Sequence, residues 1–213
     1  MNSSTYILGA GGHASVLADI LLANGDPLSG YVNHEEVTEH PILGKLAYLT
    51  DDTLLELDSE RPCLINGVGM LPGQALRKTL FIKFSEAGFD FKSVIAKGAN
   101  ISSYASLDVG VQAMNGVIVN CGARVAANSI LNTGAIIEHD THIGRHCHIA
   151  PGATISGGVT IGDNVHIGTG ASIIQGLTIG SGAVIAAGAV VNKNVPAAHI
   201  VYASKPVIKE WKD

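Results

Sequence analysis

Residues 95–196 repeat with a period of six, and this repeat limits the fold of the chain more than any other feature of its sequence. Seventeen hexads follow one another without an inserted or missing residue, and each begins with an apolar residue, most often isoleucine. The fifth residue of nearly every hexad is small or β-branched. This period matches neither an α-helix nor hairpins, whose loops vary in length. It predicts a parallel β-helix in which each hexad forms a short strand and a turn, with its first and fifth residues facing the axis.

Residues 1–90 instead alternate between strand-like and helix-like segments, which predicts a small parallel α/β sheet. We therefore expect two domains, residues 1–90 and residues 91–213. The repeat ends at Pro196, and we expect the tail that contains Trp211 to pack on the last coils. The predicted elements of the first domain are strands at residues 6–8, 30–32 and 63–66 and helices at residues 14–23 and 74–87, the second helix ending at Gly88.

The composition favours a narrow β-helix in the cytoplasm. Hydrophobic residues make up 46% of the chain, which is enough for a core, but only 5% are aromatic, which suits an interior of Ile, Val and Ala. A net charge of −5 without a basic patch argues against nucleic acid as a partner. The three cysteines have neither metal spacing nor an even disulfide framework, which indicates a reducing compartment. The apolar run at residues 6–8 is too short for a signal or a membrane span.

The repeat and the N-terminal turn together resemble a known family. Hexads such as Ile161-Gly162-Asp163-Asn164-Val165-His166, preceded by the turn Gly9-Ala10-Gly11-Gly12-His13, are similar to the bacterial hexapeptide-repeat sugar acetyltransferases. These enzymes N-acetylate nucleotide-linked 4-amino sugars, and their relatives O-acetylate sialic acid. The resemblance implies a left-handed β-helix with three hexads per coil, a Rossmann-like domain that binds the nucleotide sugar, and acetyl-CoA as the acetyl donor. It also implies a homotrimer with active sites at subunit interfaces.

The richest polar cluster lies at residues 132–148, where four of the nine histidines fall within ten residues. Histidine is a good general base near neutral pH, and an adjacent carboxylate can hold its tautomer. The resemblance assigns the base to His139, the carboxylate to Asp140, where the relatives have Glu, and a positioning role to Asn132. With eighteen residues per coil, Gly157 stacks on His139, and we expect open space for a substrate beside the imidazole. We interpret Glu138, His142 and His146 as structural.

The resemblance also assigns binding residues. Backbone amides at the start of the first helix suit phosphate oxygens. For the nucleotide sugar the assigned residues are Gly11, Gly12 and His13 at phosphate and ribose, Asn33 and His34 on the base side, and Gly69 beneath the ligand. For acetyl-CoA they are His148 near the thioester, together with Gly157, Thr169, Ala187, Gly188 and Lys205. His166 lies one coil after His148, so we expect the two residues to lie one above the other on one face of the β-helix.

The resemblance therefore implies an acetyl-CoA-dependent N-acetyltransferase that acts on the 4-amino group of a UDP-linked sugar, of the type in the bacillosamine pathway. A GDP-perosamine N-acetyltransferase and a sialic acid O-acetyltransferase remain open, as does a nucleotide-sugar binding or assembly protein without chemistry. A zinc enzyme like the γ-carbonic anhydrases is a remote alternative, because the same β-helix can carry metal-binding histidines, and we expect no metal. The glycine turn lacks the complete fingerprint of a dinucleotide oxidoreductase.

Overall fold

The N-terminal part of the chain is a four-stranded parallel sheet with helices packed against it. The computed structural model of the protein describes residues 4–57 and 61–204, so Lys205 and Trp211 lie outside the described residues. The sheet has the order β3-β2-β1-β4 and includes all three predicted strands. The strands are β1 (Thr5–Leu8), β2 (Gly30–Val32), β3 (Ala47–Leu49) and β4 (Cys63–Asn66); the helices are α1 (Gly12–Asn24), α2 (Asp51–Leu55) and α3 (Leu76–Glu86), with a 3-10 turn at Leu43–Lys45.

Both predicted helices are present, and glycines end them. Gly25 follows α1 in a left-handed conformation and donates its backbone N–H to the last carbonyls of the helix. Gly88 follows α3 with φ +84° and donates to the carbonyl of Ser85 at 3.0 Å. The short elements β3 and α2 were not predicted, because neither has a long periodic pattern.

The hexads form a left-handed β-helix of triangular cross-section, as predicted. Each hexad contributes a two-residue strand, and these strands pair in parallel with strands eighteen residues away, as Ile130 does with His148. The last strand lies beyond the hexads and pairs at a spacing of sixteen, Val184 with Ile200. Face 1 consists of β5 (Val94–Ile95), β8 (Gln112–Ala113), β11 (Ile130–Leu131), β14 (His148–Ile149), β17 (His166–Ile167), β20 (Val184–Ile185) and β22 (Ile200–Val201). Face 2 consists of β6 (Asn100–Ile101), β9 (Ile118–Val119), β12 (Ile136–Ile137), β15 (Thr154–Ile155), β18 (Ser172–Ile173) and β21 (Val190–Val191). Face 3 consists of β7 (Ser106–Leu107), β10 (Arg124–Val125), β13 (His142–Ile143), β16 (Thr160–Ile161) and β19 (Thr178–Ile179).

The chain turns at three corners, which we name 1–2, 2–3 and 3–1 after the faces that they join. The fourth residue of many hexads adopts a left-handed conformation there, and most of these residues are glycines. Asp140 is an exception, with φ +58° at corner 2–3. A short polar side chain tolerates this conformation better than most others.

The N-terminal sheet docks over face 1. The α1 helix contacts β5, and the side chain of Asn24 donates to the carbonyl of Ile95 at 2.9 Å. The buried guanidinium of Arg77 donates to the carbonyls of Asn66, Val68 and Asn128, and it thereby ties the segment after β4 to a β-helix corner. One apolar core runs through both parts, so a domain boundary at residue 90 stays a prediction. Among the described residues, no helix combines the length and the apolar character that a membrane crossing requires.

Candidate active site

His139 and Asp140 form a hydrogen-bonded pair at corner 2–3. Nδ1 of His139 lies 2.9 Å from Oδ2 of Asp140, and more than half of each side chain is exposed. The backbone N–H of Asp140 donates to the carbonyl of Cys121, one coil earlier, at 3.1 Å. In a neutral imidazole that donates its Nδ1–H to the carboxylate, Nε2 keeps its lone pair. The pair is therefore arranged as a general base with Nε2 as the proton acceptor.

Two glycines make room for this pair. A Cβ atom on Gly157 would lie 2.5 Å from Nε2 of His139, and one on Gly122 would collide with the carboxylate of Asp140. The predicted open space beside His139 is thus wrong in one respect, because the imidazole itself occupies the volume above Gly157. The missing side chain of Gly157 makes room for the imidazole of His139.

A cleft of about 520 Å³ lies between the N-terminal sheet and face 1. Its walls are the turn after β1 and the segment after β4. All six residues predicted to bind the nucleotide sugar line this cleft, together with His148; they are Gly11, Gly12, His13, Asn33, His34 and Gly69. The structure therefore brings the predicted substrate residues together, and it adds one of the predicted acetyl-CoA residues to them.

At the start of α1, no side chain of Gly11 or Gly12 covers the backbone that lines this cleft. Gly11 is the N-cap and provides no side-chain cap, and the positions where Gly11 and Gly12 would carry a Cβ are empty to 4 Å. The first amides of a helix have no partners within the helix, and its dipole favours negative charge there. This end of α1 can accept phosphate oxygens.

His13 is held from the side of the β-helix. Its Nε2 lies 2.8 Å from Oε1 of Gln112, and Gln112 donates from its Nε2 to the carbonyl of Asn66 at 2.7 Å. Burial, and to a lesser degree the charge of Arg77, lower the pKa of His13 to about 4. His13 is therefore a neutral ring at neutral pH.

His148 is bonded at both ring nitrogens. Nδ1 lies 2.8 Å from the carbonyl of Met70, and Nε2 lies 3.1 Å from the side-chain nitrogen of Asn132. His166 pairs with His148 in the neighbouring strand, so the predicted alignment on one face is confirmed, and the two rings meet edge-on with their centroids 5.0 Å apart. Asn132 thus contacts His148 at corner 1–2, and the structure does not bring it to His139 at corner 2–3.

The predicted acetyl-CoA residues divide between two corners. Thr169, Ala187 and Gly188 continue corner 1–2 beyond Asn132, where the carbonyl of Thr169 accepts from the backbone N–H of Gly188 at 2.8 Å. Gly157 lies with His139 at corner 2–3. Within residues 4–57 and 61–204, no group of three His, Cys, Asp or Glu side chains is arranged to hold a metal ion.

Sequence reasoning missed Gln112 and Asn66. Both are buried polar residues, and they link the cleft to the β-helix. Gln112 occupies the outward sixth position of its hexad, as Arg124 does two hexads later, and nothing in the repeat separates the two. Only the docking of the N-terminal sheet buries Gln112 and leaves Arg124 exposed.

Comparison with known proteins finds a family model of hexapeptide transferases and several structures of sugar N-acetyltransferases. The family model described as bacterial transferase hexapeptide (six repeats) matches residues 122–157 and 158–193. An asparagine-for-histidine variant of perosamine N-acetyltransferase from Caulobacter crescentus, in complex with CoA and GDP-perosamine, is 30% identical; the match covers 92% of each chain, with a TM-score of 0.84. PerB from the same organism, in complex with the same two ligands, is 31% identical over 92% of each chain, with a TM-score of 0.83.

A third structure extends the comparison to another organism. The acetyltransferase domain of PglB from Neisseria gonorrhoeae FA1090, in complex with acetyl coenzyme A, is 27% identical and has a TM-score of 0.85. That match covers 97% of this chain and 100% of the other. The likeness therefore includes both the N-terminal sheet and the β-helix.

Proposed function

The chain belongs to the hexapeptide-repeat sugar N-acetyltransferases, which use acetyl-CoA, and we propose that it acetylates the 4-amino group of a UDP-linked amino sugar. The pair of His139 and Asp140 is the observation that carries this proposal. It supplies a base with a fixed tautomer at an exposed corner, and that is the group an amine acetylation needs.

The chemistry is a direct transfer. Nε2 of His139 removes a proton from the sugar amine while the amine nitrogen attacks the thioester carbonyl, so a C–N bond forms and the C–S bond breaks. The CoA sulfur leaves and receives a proton, which the imidazolium of His139 can return. Asp140 stabilises that imidazolium through the bond at Nδ1. No covalent enzyme intermediate is needed.

The proposed site is shared between neighbouring copies of the chain. The cleft lies over face 1, whereas His139 lies at corner 2–3, the corner of the prism that face 1 does not touch. A nucleotide sugar in the cleft of one copy therefore cannot reach His139 of that same copy. The base of an adjacent copy in the proposed homotrimer completes the site, and acetyl-CoA runs along the groove between the two β-helices.

A GDP-linked 4-amino sugar is the second candidate substrate. The observation in its favour is that the Caulobacter crescentus structures, which match nearly the whole chain, are complexes with GDP-perosamine. Asn33 and His34, which the resemblance assigns to the nucleobase, line the cleft. The UDP-linked and GDP-linked candidates differ in the nucleobase that the cleft must bind.

Thiol release from acetyl-CoA tests the proposal. We expect turnover with one of the UDP-, GDP- or dTDP-linked 4-amino sugars and a loss of about 10²- to 10⁴-fold in kcat for His139→Ala, because the base is removed. His142→Ala is the matched control, since this exposed histidine lies on face 3 and should leave kcat unchanged. Turnover that survives His139→Ala, or that occurs only with sialic acid, would contradict the proposal.

A further inference from the structure

Gln112 is a β-helix residue that reaches into the N-terminal sheet. It is fully buried in β8, and both ends of its side-chain amide are bonded, Oε1 to Nε2 of His13 and Nε2 to the carbonyl of Asn66. Among the described residues, no other hydrogen bond joins the side chain of His13 to the β-helix. A buried amide with both ends satisfied has one orientation.

That orientation determines where His13 carries its proton. The carbonyl of Asn66 can only accept, so the NH₂ group of Gln112 must face it and Oε1 must face His13. Oε1 can also only accept, so Nε2 of His13 must carry the hydrogen. Because a neutral imidazole holds one proton, Nδ1 of His13 is then an acceptor.

The ring stays in this state at neutral pH. Burial and the nearby charge of Arg77 disfavour the imidazolium, and no described group is bonded to Nδ1. A neutral ring with a bare acceptor repels an ionised phosphate oxygen, which has no hydrogen to share. We therefore expect the phosphates of a ligand to bind the backbone amides at the start of α1. Nδ1 of His13 requires a partner that donates a hydrogen bond.

We propose that Gln112 is a positioning residue that fixes the tautomer of His13, so that Nδ1 accepts a hydrogen bond from a hydroxyl group of the bound nucleotide sugar. This inference rests on the proposed function for the identity of the ligand. It narrows the expectation that Gly11, Gly12 and His13 lie at phosphate and ribose, because it assigns His13 to a hydroxyl group and leaves the phosphates to the two glycines. It also makes the cleft selective for ligands that keep one particular hydroxyl.

The tautomer is tested first, without any ligand. In full-length protein labelled with ¹⁵N-histidine, we expect the long-range ¹H–¹⁵N spectrum of His13 to show a protonated Nε2 and a bare Nδ1. In Gln112→Met, which keeps the length of the side chain but removes both polar groups, we expect the two tautomers to mix. A protonated Nδ1 in the wild-type protein would overturn the proposal.

The ligand hydroxyl is tested by binding. The probes are UDP-N-acetylglucosamine and GDP-mannose, which lack the reactive amine, and analogues of each in which one ribose or hexose hydroxyl is replaced by hydrogen. For the wild type we expect one analogue of the sugar that binds to be about tenfold weaker than its parent, the cost of one lost hydrogen bond. In His13→Ala and Gln112→Met we expect that difference to shrink to less than about twofold, because the acceptor is absent or misdirected.

A purely structural role of Gln112 gives a different result. It would weaken the parent and all analogues equally and leave their ratios unchanged, and this outcome would refute the proposal. Arg124→Met is the matched control, since the same substitution at the sixth hexad position of exposed face 3 should change neither affinity nor ratio. If no nucleotide sugar binds, the proposed function fails together with the hydroxyl contact, whereas the spectrum of His13 still decides the role of Gln112.

Discussion

Two glycines one coil away set the geometry of the histidine–carboxylate pair. Gly122 leaves room for the carboxylate of Asp140, and Gly157 leaves room for the imidazole of His139. The backbone of Gly157 does not adopt a left-handed conformation, so an alanine is compatible with it. At this position a single methyl group can move the base without straining the chain.

We expect Gly157→Ala to lower kcat by about 10- to 100-fold with little change in stability, because the new Cβ displaces the imidazole of His139 from the position in which we propose that it acts as the base. Thiol-release kinetics and thermal unfolding measure the two effects. The control is the same substitution in the His139→Ala protein, where no base remains to be moved and no further loss should occur. A further loss in that background would mean that Gly157 acts on acetyl-CoA instead.

At the scale of elements, the docking of the N-terminal sheet on face 1 buries histidines that carry no charge. Burial lowers the pKa of His13 and of His148 to about 4. His146, which is buried under α3 and bonded to Asn128, has its pKa lowered to about 4 by burial and by the charge of Lys78. Protonation of these rings either buries a charge, which costs free energy, or requires the N-terminal part to separate from the β-helix.

The stability of the protein should therefore fall in mild acid. The folded-state pKa lies below the unfolded value of 6.5, so between these two values the unfolded chain binds more protons and the free energy of unfolding decreases as the pH falls. At about pH 5 we expect a loss of about 1–2 kcal/mol for each of His13 and His148. Urea unfolding between about pH 7 and pH 5 measures it.

A variant separates this effect from general acid sensitivity. His148→Gln keeps a polar side chain beside Met70 and Asn132 but cannot titrate, so its unfolding free energy should depend less steeply on pH. An equal pH dependence in this variant, or none in the wild type, would contradict the role assigned to buried histidines.

The same docking explains which features could be predicted from the sequence. Each hexad carries its own inward residues and corner, so the repeat alone predicts a parallel β-helix. The family resemblance adds the eighteen-residue coil, and this coil places His148 and His166 in neighbouring strands. The glycine turn likewise predicts β1 and α1 from local rules. The partners of Asn132 and Gln112 depend on which face the N-terminal sheet covers, and no local pattern encodes that choice.

At the scale of the whole molecule, the two halves of the proposed site lie on opposite sides of one prism. His139 is at corner 2–3, and the cleft is over face 1. A copy that has lost its base still offers an intact cleft, and a copy with a blocked cleft still offers its base. The proposed sharing can therefore be tested by removing the base from one copy and blocking the cleft of another.

Co-expression of His139→Ala with Gly11→Phe tests this sharing. Gly11 faces empty space, so the phenyl group should enter the cleft and block the nucleotide sugar without disturbing the fold. We expect each variant alone to be inactive and mixed oligomers to recover activity, up to about a quarter of the wild-type value when copies combine at random and each site draws on two of them. Isolation of doubly tagged oligomers shows that mixing has occurred. Mixed oligomers without activity would mean that one chain carries a complete site, and that the path from cleft to base runs within a single prism.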